Sequence, residues 1–599
     1  MKQRNKIKYA DLFRLMLKES KANALIWLVL STLVGVLPAT SIWINKSLVN
    51  QLGNLAEVNT KIIFMLLAGL GIAAILQEII KNYTNYLYVK MRYNVSYMME
   101  NQLYNVILNC RIDRFEDSNF HNGIVMAHQA LQVNCLDVIQ LFINSVSSSV
   151  TVITIVITLI SINWKLPVVL TISSIPTIVG ILFVKNYKFK IKESLLELMR
   201  KNGYYAGLFI DKKGIRDIKL YNLKEYFLGI WKKQKKEIIS KSQKVVAKEG
   251  IVNVCGRIVI NVSFLGAAIY LVNMVITGAI DLGSFVSLLT AVTLFQSSLT
   301  SISENNASIY EMRLYVNALF DVLSNEGQSN GQLTLNAVES EEEAGQERKW
   351  KEIQAIELKN VSFQYKQAKS KTLEDVNLCI KKGERVAIVG YNGAGKTTLI
   401  NILLGLYRPD QGQVLVNGEE LTDDAMKSYY EKIACVPQDF MKYDFSLFEN
   451  IALGRGDTRE NREKAREILT KLKFDPGKLE RFDDSLSAKY SGGFELSGGE
   501  WQKVALARAI IRDAEVVIYD EPTSSLDPIS EVNTYNDLYA LSQEKTSIVI
   551  SHRLGIAKAC NKIIVMKDGR IVEMGNHEQL MKNHGEYAYL YNAQAAWYN

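Results

Sequence analysis

Six cysteines in 599 residues are too few for a disulfide scaffold. Cys110, Cys135, Cys255, Cys379, Cys435 and Cys560 form neither a CxxC pair nor a Cys/His cluster, which argues against structural zinc and dithiol redox chemistry. Scattered thiols suit a reduced compartment, where each behaves as a small hydrophobe. An excess of one charge is lacking too. Against 70 basic residues stand 62 acidic ones, a net of +8, too small and too unevenly spread to imply a nucleic-acid ligand. A hydrophobic fraction of 48% and 36 glycines exclude a disordered or collagen-like chain. At roughly 150 residues per domain, the length allows about four domain-sized units.

What is present falls into two unlike halves, hidden behind a mean hydropathy of +0.02. A bilayer core of about 30 Å takes about 20 apolar residues in a helix. Ala24 to Ile44 supplies such a run without a charge, flanked by Lys18, Lys21 and Lys46. It is too long for the apolar core of a cleaved signal peptide, and no small-residue cleavage site follows it. Further spans are expected at 62–80, 138–162, 166–185, 258–277 and 283–302, six in all, with short breaks at Trp164–Lys165 and Gly278–Asp281.

Residues 81–135 and 186–257 keep a helix-forming pattern well beyond what a membrane requires, so they are expected to be soluble helical extensions. Between Lys185 and Gly250 there are 18 Lys/Arg against 7 Asp/Glu, and before Asn23 there are 7 against 2. The positive-inside tendency puts the amino terminus, both excursions and everything after the sixth span in the cytoplasm. That placement accounts for the basic charge without nucleic acid. Glu78, Asn144, Arg257, Asn261, Asn273 and Gln296 are polar within or near the spans. Each is a candidate for interhelical hydrogen bonding or, less directly, for contact with a substrate.

From Ser324 to Lys351 the chain turns acidic and rich in serine and glycine, the composition of a linker. Beyond it, IELKNVSFQY and LCIKKGERVAIVG read as strands with a turn at Lys381–Gly383. The second runs into Gly390-Tyr-Asn-Gly-Ala-Gly-Lys-Thr397, which matches GxxxxGK[ST] between a strand and a helix. In such a loop, backbone N–H groups and a helix start receive phosphate oxygens. Gly390, Asn392, Gly393, Gly395 and Thr398 belong to that cradle. Lys396 is expected on the β/γ-phosphates, and Thr397 on Mg²⁺. Downstream, Val516-Val-Ile-Tyr-Asp520-Glu521 is a strand ending in two carboxylates. Asp520 suits the metal partner a P-loop requires, and Glu521 suits a base that polarises the attacking water.

With these motifs in order, the sequence resembles ATP-binding cassette (ABC) exporters over essentially its whole length, specifically half-transporters with one membrane domain fused ahead of one nucleotide-binding domain. Leu496-Ser-Gly-Gly-Glu500 is similar to the family's signature, Val436-Pro-Gln438 to its Q-loop, Ser525-Leu-Asp527 to its D-loop and Ser551-His552-Arg553 to its switch histidine. Tyr365 falls where the family's adenine-stacking aromatic lies. The resemblance implies a multidomain fold: an all-α, six-helix polytopic membrane domain of the type I exporter (type IV ABC) kind over 1–323, a linker over 324–351 and an α/β P-loop ATPase domain over 352–599.

It further implies a dimer that sandwiches two ATP molecules with Mg²⁺, each between one subunit's P-loop and the other's Ser497, Gly498 and Gly499. Asp527 and Gln438 would border the nucleotide, with Gln438 also near Mg²⁺ and the attacking water. His552 would sense the γ-phosphate. FEDSNF at Phe115–Phe120 and KKGIRDIKLYN at Lys212–Asn222 fall where the family places its coupling helices.

Two positions depart from the family: Glu500 stands in place of the usual glutamine, and Lys503 in place of a frequent arginine. A tryptophan like Trp501 occurs in peptide and lantibiotic-type exporters, which tilts the expected cargo towards a peptide. No cysteine-peptidase domain is expected ahead of the first span. The function implied is ATP-driven export of a peptide or other amphipathic substrate across the cell membrane by alternating access. The chain would pair with itself or with a homologous half-transporter in a lipid bilayer. The alternatives are a lipid or multidrug exporter subunit of a heterodimer and an ATP-gated channel or sensor.

Overall fold

The computed structural model describes residues 13–14, 16–18, 20–53, 59–132, 136–160, 164–327, 350–521, 545–551 and 554–596. These fall into two compact units. The first takes the described residues up to Cys110 and from Ser118 to 327, and the second takes Arg111–Asp117 with everything from 350 onward.

The first unit is helical among its described residues: α1 (Lys21–Gly53), α2 (Thr60–Asn109), α3 (Ser118–Gln132), α4 (Asp137–Ile160), α5 (Lys165–Leu208), α6 (Lys212–Leu220), α7 (Lys224–Ile276) and α8 (Leu282–Gly327). Among the described residues, six helices are long and apolar enough to cross a membrane: α1, α2, α4, α5 over Leu170–Lys188, α7, and α8 over Leu282–Tyr310. The excursions are helical, with α2 running on to Asn109, α5 to Leu208 and α7 starting at Lys224, and with α3 and α6 set between them. At about 1.5 Å per residue, the 50 residues of α2 and the 53 of α7 are each more than twice as long as a bilayer core is thick. The small helix α6 is capped by Asp211, whose carboxylate accepts from the Gly214 N–H at 2.9 Å, and it buries none of its residues.

Packing of these helices uses both apolar faces and small residues. One cluster joins Trp27, Tyr88, Met91, Val95, Met99 and Leu319, with the rings of Trp27 and Tyr88 stacked 5.8 Å apart. A second gathers Ile42, Ile155, Leu159, Leu271, Val292 and Phe295. Where α1 crosses α4, Gly35 permits close approach. The Thr151 hydroxyl donates to the Gly35 carbonyl at 2.8 Å, and a Cβ on Gly35 would lie 2.5 Å from the Ser147 carbonyl oxygen. Gln296 donates to the Ile260 carbonyl at 3.3 Å, an interhelical bond. Glu78 accepts from Asn82 on its own helix at 3.1 Å. Asn144, Arg257, Asn261 and Asn273 are exposed on the single chain.

The second unit holds two sheets. Strands β1 (Ala355–Phe363), β2 (Leu373–Lys381), β4 (Gln411–Val416) and β5 (Glu419–Glu420) form an antiparallel sheet of order β2-β1-β4-β5. Strands β3 (Arg385–Gly390), β6 (Ile433–Val436), β7 (Val516–Asp520), β8 (Thr546–Ile550), β9 (Lys562–Lys567) and β10 (Arg570–Gly575) form the other, of order β10-β9-β3-β8-β7-β6. It is parallel except for β10. The turn at Lys381–Gly383 therefore carries the chain from one sheet to the other. All five residues of β7 and of β8 are buried, as parallel strands covered on both faces require.

The helices that matter for the site are α9 (Lys396–Leu403), α10 (Leu447–Ala452), α11 (Arg459–Lys471) and α12 (Gly498–Ile511). Helix α9 packs into the cluster of Ile388, Leu399, Ile402, Ile518 and Ile564, whereas α12 packs with α10 and α11 around Phe448, Leu469, Trp501, Val504 and Leu506. The phosphate-loop helix and the signature helix of one chain thus belong to separate apolar cores.

Replacing Gly35 with valine should force α1 off α4 and destabilise the bundle by about 2 kcal/mol. The expected readout is a lowered melting midpoint in detergent. Gly71→Val, on α2 where an added Cβ meets nothing within 4 Å, should leave that midpoint unchanged.

Candidate functional site

Four parallel strands end on one edge of the larger sheet, and the sequence motifs follow directly from those ends. Strand β3 runs into the glycine loop, β6 into Pro437 and Gln438, β7 ends on Asp520 and β8 leads to Ser551. Strand β8 lies between β3 and β7, so residues far apart in sequence meet because the strands are neighbours. Ligands of open α/β sheets gather at such carboxyl edges.

The loop between β3 and α9 depends on its glycines. Gly390, Gly393 and Gly395 have φ of 149°, 82° and 96°, a region side chains avoid. A Cβ on Gly390 would collide with the Met566 carbonyl, and one on Gly395 would crowd Leu373 and the Thr372 carbonyl at 2.9 Å. Asn392, Gly393 and Thr397 are exposed on the loop and first turn, while Lys396 and Thr398 are buried. The Lys396 ammonium folds back over the loop and donates to the carbonyls of Gly390 and Tyr391, both at 2.9 Å. Burial holds this lysine below its ordinary range, against the pull of Glu521 and Asp520.

Asp520 lies opposite in character. It is only 5% exposed, and its Oδ1 is buried without a hydrogen-bond partner. Burial first, and then the charge of Glu521, pushes its carboxyl up to about 6, with Lys396 opposing. Glu521 adopts φ of 49° and donates its N–H to the Ile550 carbonyl at 3.1 Å. A left-handed conformation at a non-glycine is costly and is concentrated at functional positions. The Gln438 amide donates to the Glu521 carboxylate at 3.0 Å, so the side chains following β6 and β7 touch.

An orphaned carboxylate oxygen near a phosphate-loop lysine and an exposed threonine hydroxyl suits a hard divalent cation completed by substrate oxygens. No cluster of three His, Cys, Asp or Glu side chains exists among the described residues, so any cation here needs ligands from hydroxyl, amide and phosphate groups as well. Asp527 and His552, expected from the sequence, lie outside the described residues.

Tyr365 stands half-buried beside α9. Its hydroxyl lies 3.1 Å from that of Thr398, and its ring meets Phe363 and Tyr407 edge-on at 5.0 and 5.6 Å. Tyr407, not anticipated from sequence, donates to the Glu116 carboxylate at 2.7 Å. Glu116 closes a short 3-10 helix, Ile112–Glu116, that belongs to this unit. The expected FEDSNF segment is thus divided, with Phe115 and Glu116 in the 3-10 helix and Ser118 already opening α3.

Ser497 caps α12, leaving Ser497 and Gly498 exposed at the helix start. Glu500 completes a capping box, its carboxylate accepting from the Ser497 N–H and hydroxyl, both at 2.8 Å. Lys478 donates to both oxygens of the same carboxylate at 2.6 Å. Burial opposes ionisation of Glu500, but the bonds from Lys478 and Ser497 outweigh it and hold the carboxyl below its usual range. Sequence reading missed Lys478, because nothing in a motif marks a partner 22 residues upstream.

Arg508, in the Ala507–Ala509 run that follows the signature, makes a second bridge. This residue donates to the Asn450 side chain and carbonyl and to the Met441 carbonyl, each at 2.6 Å, tying α12 to the segment that follows Gln438.

Comparison with known proteins agrees with this arrangement. Residues 24–299 match the ABC transporter transmembrane region and residues 373–524 the ABC transporter domain. The chain is 33% identical over 558 residues to the subtilin transport ATP-binding protein of Bacillus subtilis, covering 92% of this chain and 88% of that one. It is 28% identical over 591 residues to the nisin transport ATP-binding protein of Lactococcus lactis subsp. lactis, covering 97% and 95%. A solved bacterial Atm1-family ABC exporter with ATP bound has the same fold, with a TM-score of 0.76 at 19% identity over 95% of this chain and 97% of its own. The chain belongs to the ABC transporter family, as a multi-pass membrane protein whose carboxyl-terminal half is an ATP-hydrolysing domain.

Proposed function

We propose that this chain is an exporter of an amphipathic peptide, working as a pair of identical subunits that clamp two ATP molecules between them. In this reading residues 1–323 are the membrane domain, 324–351 the connection and 352–599 the nucleotide-binding domain, with the amino terminus and the ATPase domain on the cytoplasmic side. The observation that carries the ATP part is the unpartnered, buried oxygen of Asp520 beside Lys396 and the Gln438–Glu521 pair. The peptide part rests on near full-length likeness to the subtilin and nisin transport proteins.

Each residue has a defined task. Backbone N–H groups of Gly390, Asn392, Gly393 and Gly395 and the start of α9 receive phosphate oxygens. Lys396 exchanges its two carbonyl partners for the β- and γ-phosphates, a stronger, charge-assisted set of bonds. Thr397, Asp520 and Gln438 would hold Mg²⁺, whose positive charge would offset charge developing on the phosphates. Glu521 accepts a proton from the attacking water, with Gln438 and His552 fixing water and γ-phosphate geometry. Thr398 supports the first turn, and Tyr365 stacks on the adenine.

The signature residues Ser497, Gly498 and Gly499 close over the γ-phosphate of the nucleotide bound to the other copy, with Asp527 at the same border. Their place on a separate core from α9 supports a site shared across two chains. The 3-10 helix at Ile112–Glu116 and the capped, unburied α6 are the surfaces through which this closure reaches the membrane helices.

Glu521→Gln should lower phosphate release by about a hundredfold or more while ATP still binds, and it should trap a closed pair visible by crosslinking. Undiminished hydrolysis in that variant would remove Glu521 as the base. Tyr365→Ala should raise the ATP concentration for half-maximal hydrolysis roughly tenfold through lost stacking, with Tyr365→Phe retaining most of the affinity. Equal behaviour of the two would exclude an adenine platform. Stimulation of ATPase activity by cationic amphipathic peptides, in lipid nanodiscs holding this chain alone, tests cargo and pairing together.

A further inference from the structure

Glu500 puts a carboxylate where the family carries a glutamine, and the mechanism above gives it no task. It sits in the first turn of α12, with its side chain 17% exposed, and its counter-cation Lys478 is 29% exposed. Lys478 is itself held in place. It lies on the short helix Pro476–Leu479, whose Gly477 N–H is capped by Asp475 at 2.9 Å. One turn along α12, Lys503 donates to the Lys473 carbonyl at 2.6 Å. Residues 473–479 are thus fastened to the signature helix at two points, and one of those points is the ion pair.

A helix start attracts phosphate through its unpaired N–H groups and positive dipole end. An uncompensated carboxylate in that first turn works against both. It repels the phosphate and offsets the positive dipole end. A glutamine carries no charge and so needs no counter-ion.

We propose that Lys478 is a positioning residue for ATP: by holding both oxygens of Glu500 it cancels the charge that would otherwise oppose a γ-phosphate at the start of α12. Lys478 does not touch the nucleotide; it acts through Glu500. The inference rests on the shared-site reading above.

The test uses the full-length chain in lipid nanodiscs. Lys478→Met should raise the KM for ATP about tenfold with kcat little changed. Glu500→Gln alone should stay within about twofold of the unsubstituted protein, and Lys478→Met/Glu500→Gln should return to that range. A second readout is independent of turnover. In a Glu521→Gln background, the MgATP concentration for half-maximal closure, followed by spin-label distances between the two nucleotide-binding domains, should rise with Lys478→Met and recover in the double substitution.

An unshifted Lys478→Met, or a double variant as impaired as the single, would overturn the proposal. If Lys478→Met lowers the melting midpoint, Lys478→Arg should keep the KM and Lys478→Gln should not; equal values for those two would also overturn it. Failure of the Glu521→Gln protein itself to close at any MgATP concentration would remove the shared-site reading and this inference together. Closure there with no Lys478 effect removes this inference alone.

Discussion

Two opposite charges buried at one edge of a parallel sheet organise the ATPase domain. Lys396 finds only two carbonyl oxygens of its own loop, and one oxygen of Asp520 finds nothing. Buried charge is unfavourable unless paired and hydrogen-bonded, and in the function proposed above a nucleotide and its cation would supply the partners each group lacks. The surrounding structure enforces this. Fully buried β7 and β8 keep Asp520 away from solvent, and the glycine loop holds Lys396 close to its own backbone. Glu521, in a left-handed conformation next to Asp520, stores strain at the same point.

The second organising feature is the division of the domain between two cores. Because α9 and α12 pack into different clusters, the two are joined through longer-range polar bridges. Arg508 joins α12 to the segment after Gln438, and Gln438 reaches Glu521. A change at Glu521 therefore has a set of polar bonds along which to reach α12. Beside α9, Tyr365 meets Tyr407, and Tyr407 reaches Glu116 of the 3-10 helix. In the membrane unit, stiffness comes from helix length and from small-residue crossings such as Gly35, where backbone and hydroxyl groups replace bulky packing.

How much of this was legible beforehand depended on the range over which each signal acts. All six spans were readable because a bilayer demands an uninterrupted apolar run, a property of about 20 consecutive residues. The phosphate loop was readable for a similar reason: positive φ at Gly393 and Gly395 is a local demand that few residues satisfy. The Asp520–Glu521 pair announced itself as two carboxylates closing an apolar strand. By contrast, Lys478 and Tyr407 lie in no motif, and each acts on a residue brought near only by folding. The continuous strand-like stretch from Leu378 to Gly390 likewise concealed a change of sheet at its turn.

The amino-acid order alone determined the membrane half, the P-loop ATPase half and the motif residues of the proposed site, because apolar periodicity, turn geometry and phosphate chemistry act over short stretches. Only the tertiary structure decided that Gln438 meets Glu521, that an oxygen of Asp520 is left without a partner, and that the charge of Glu500 is met by Lys478. Those outcomes depend on which strand lies beside which and on what burial leaves unsatisfied, and both are set by packing between distant segments.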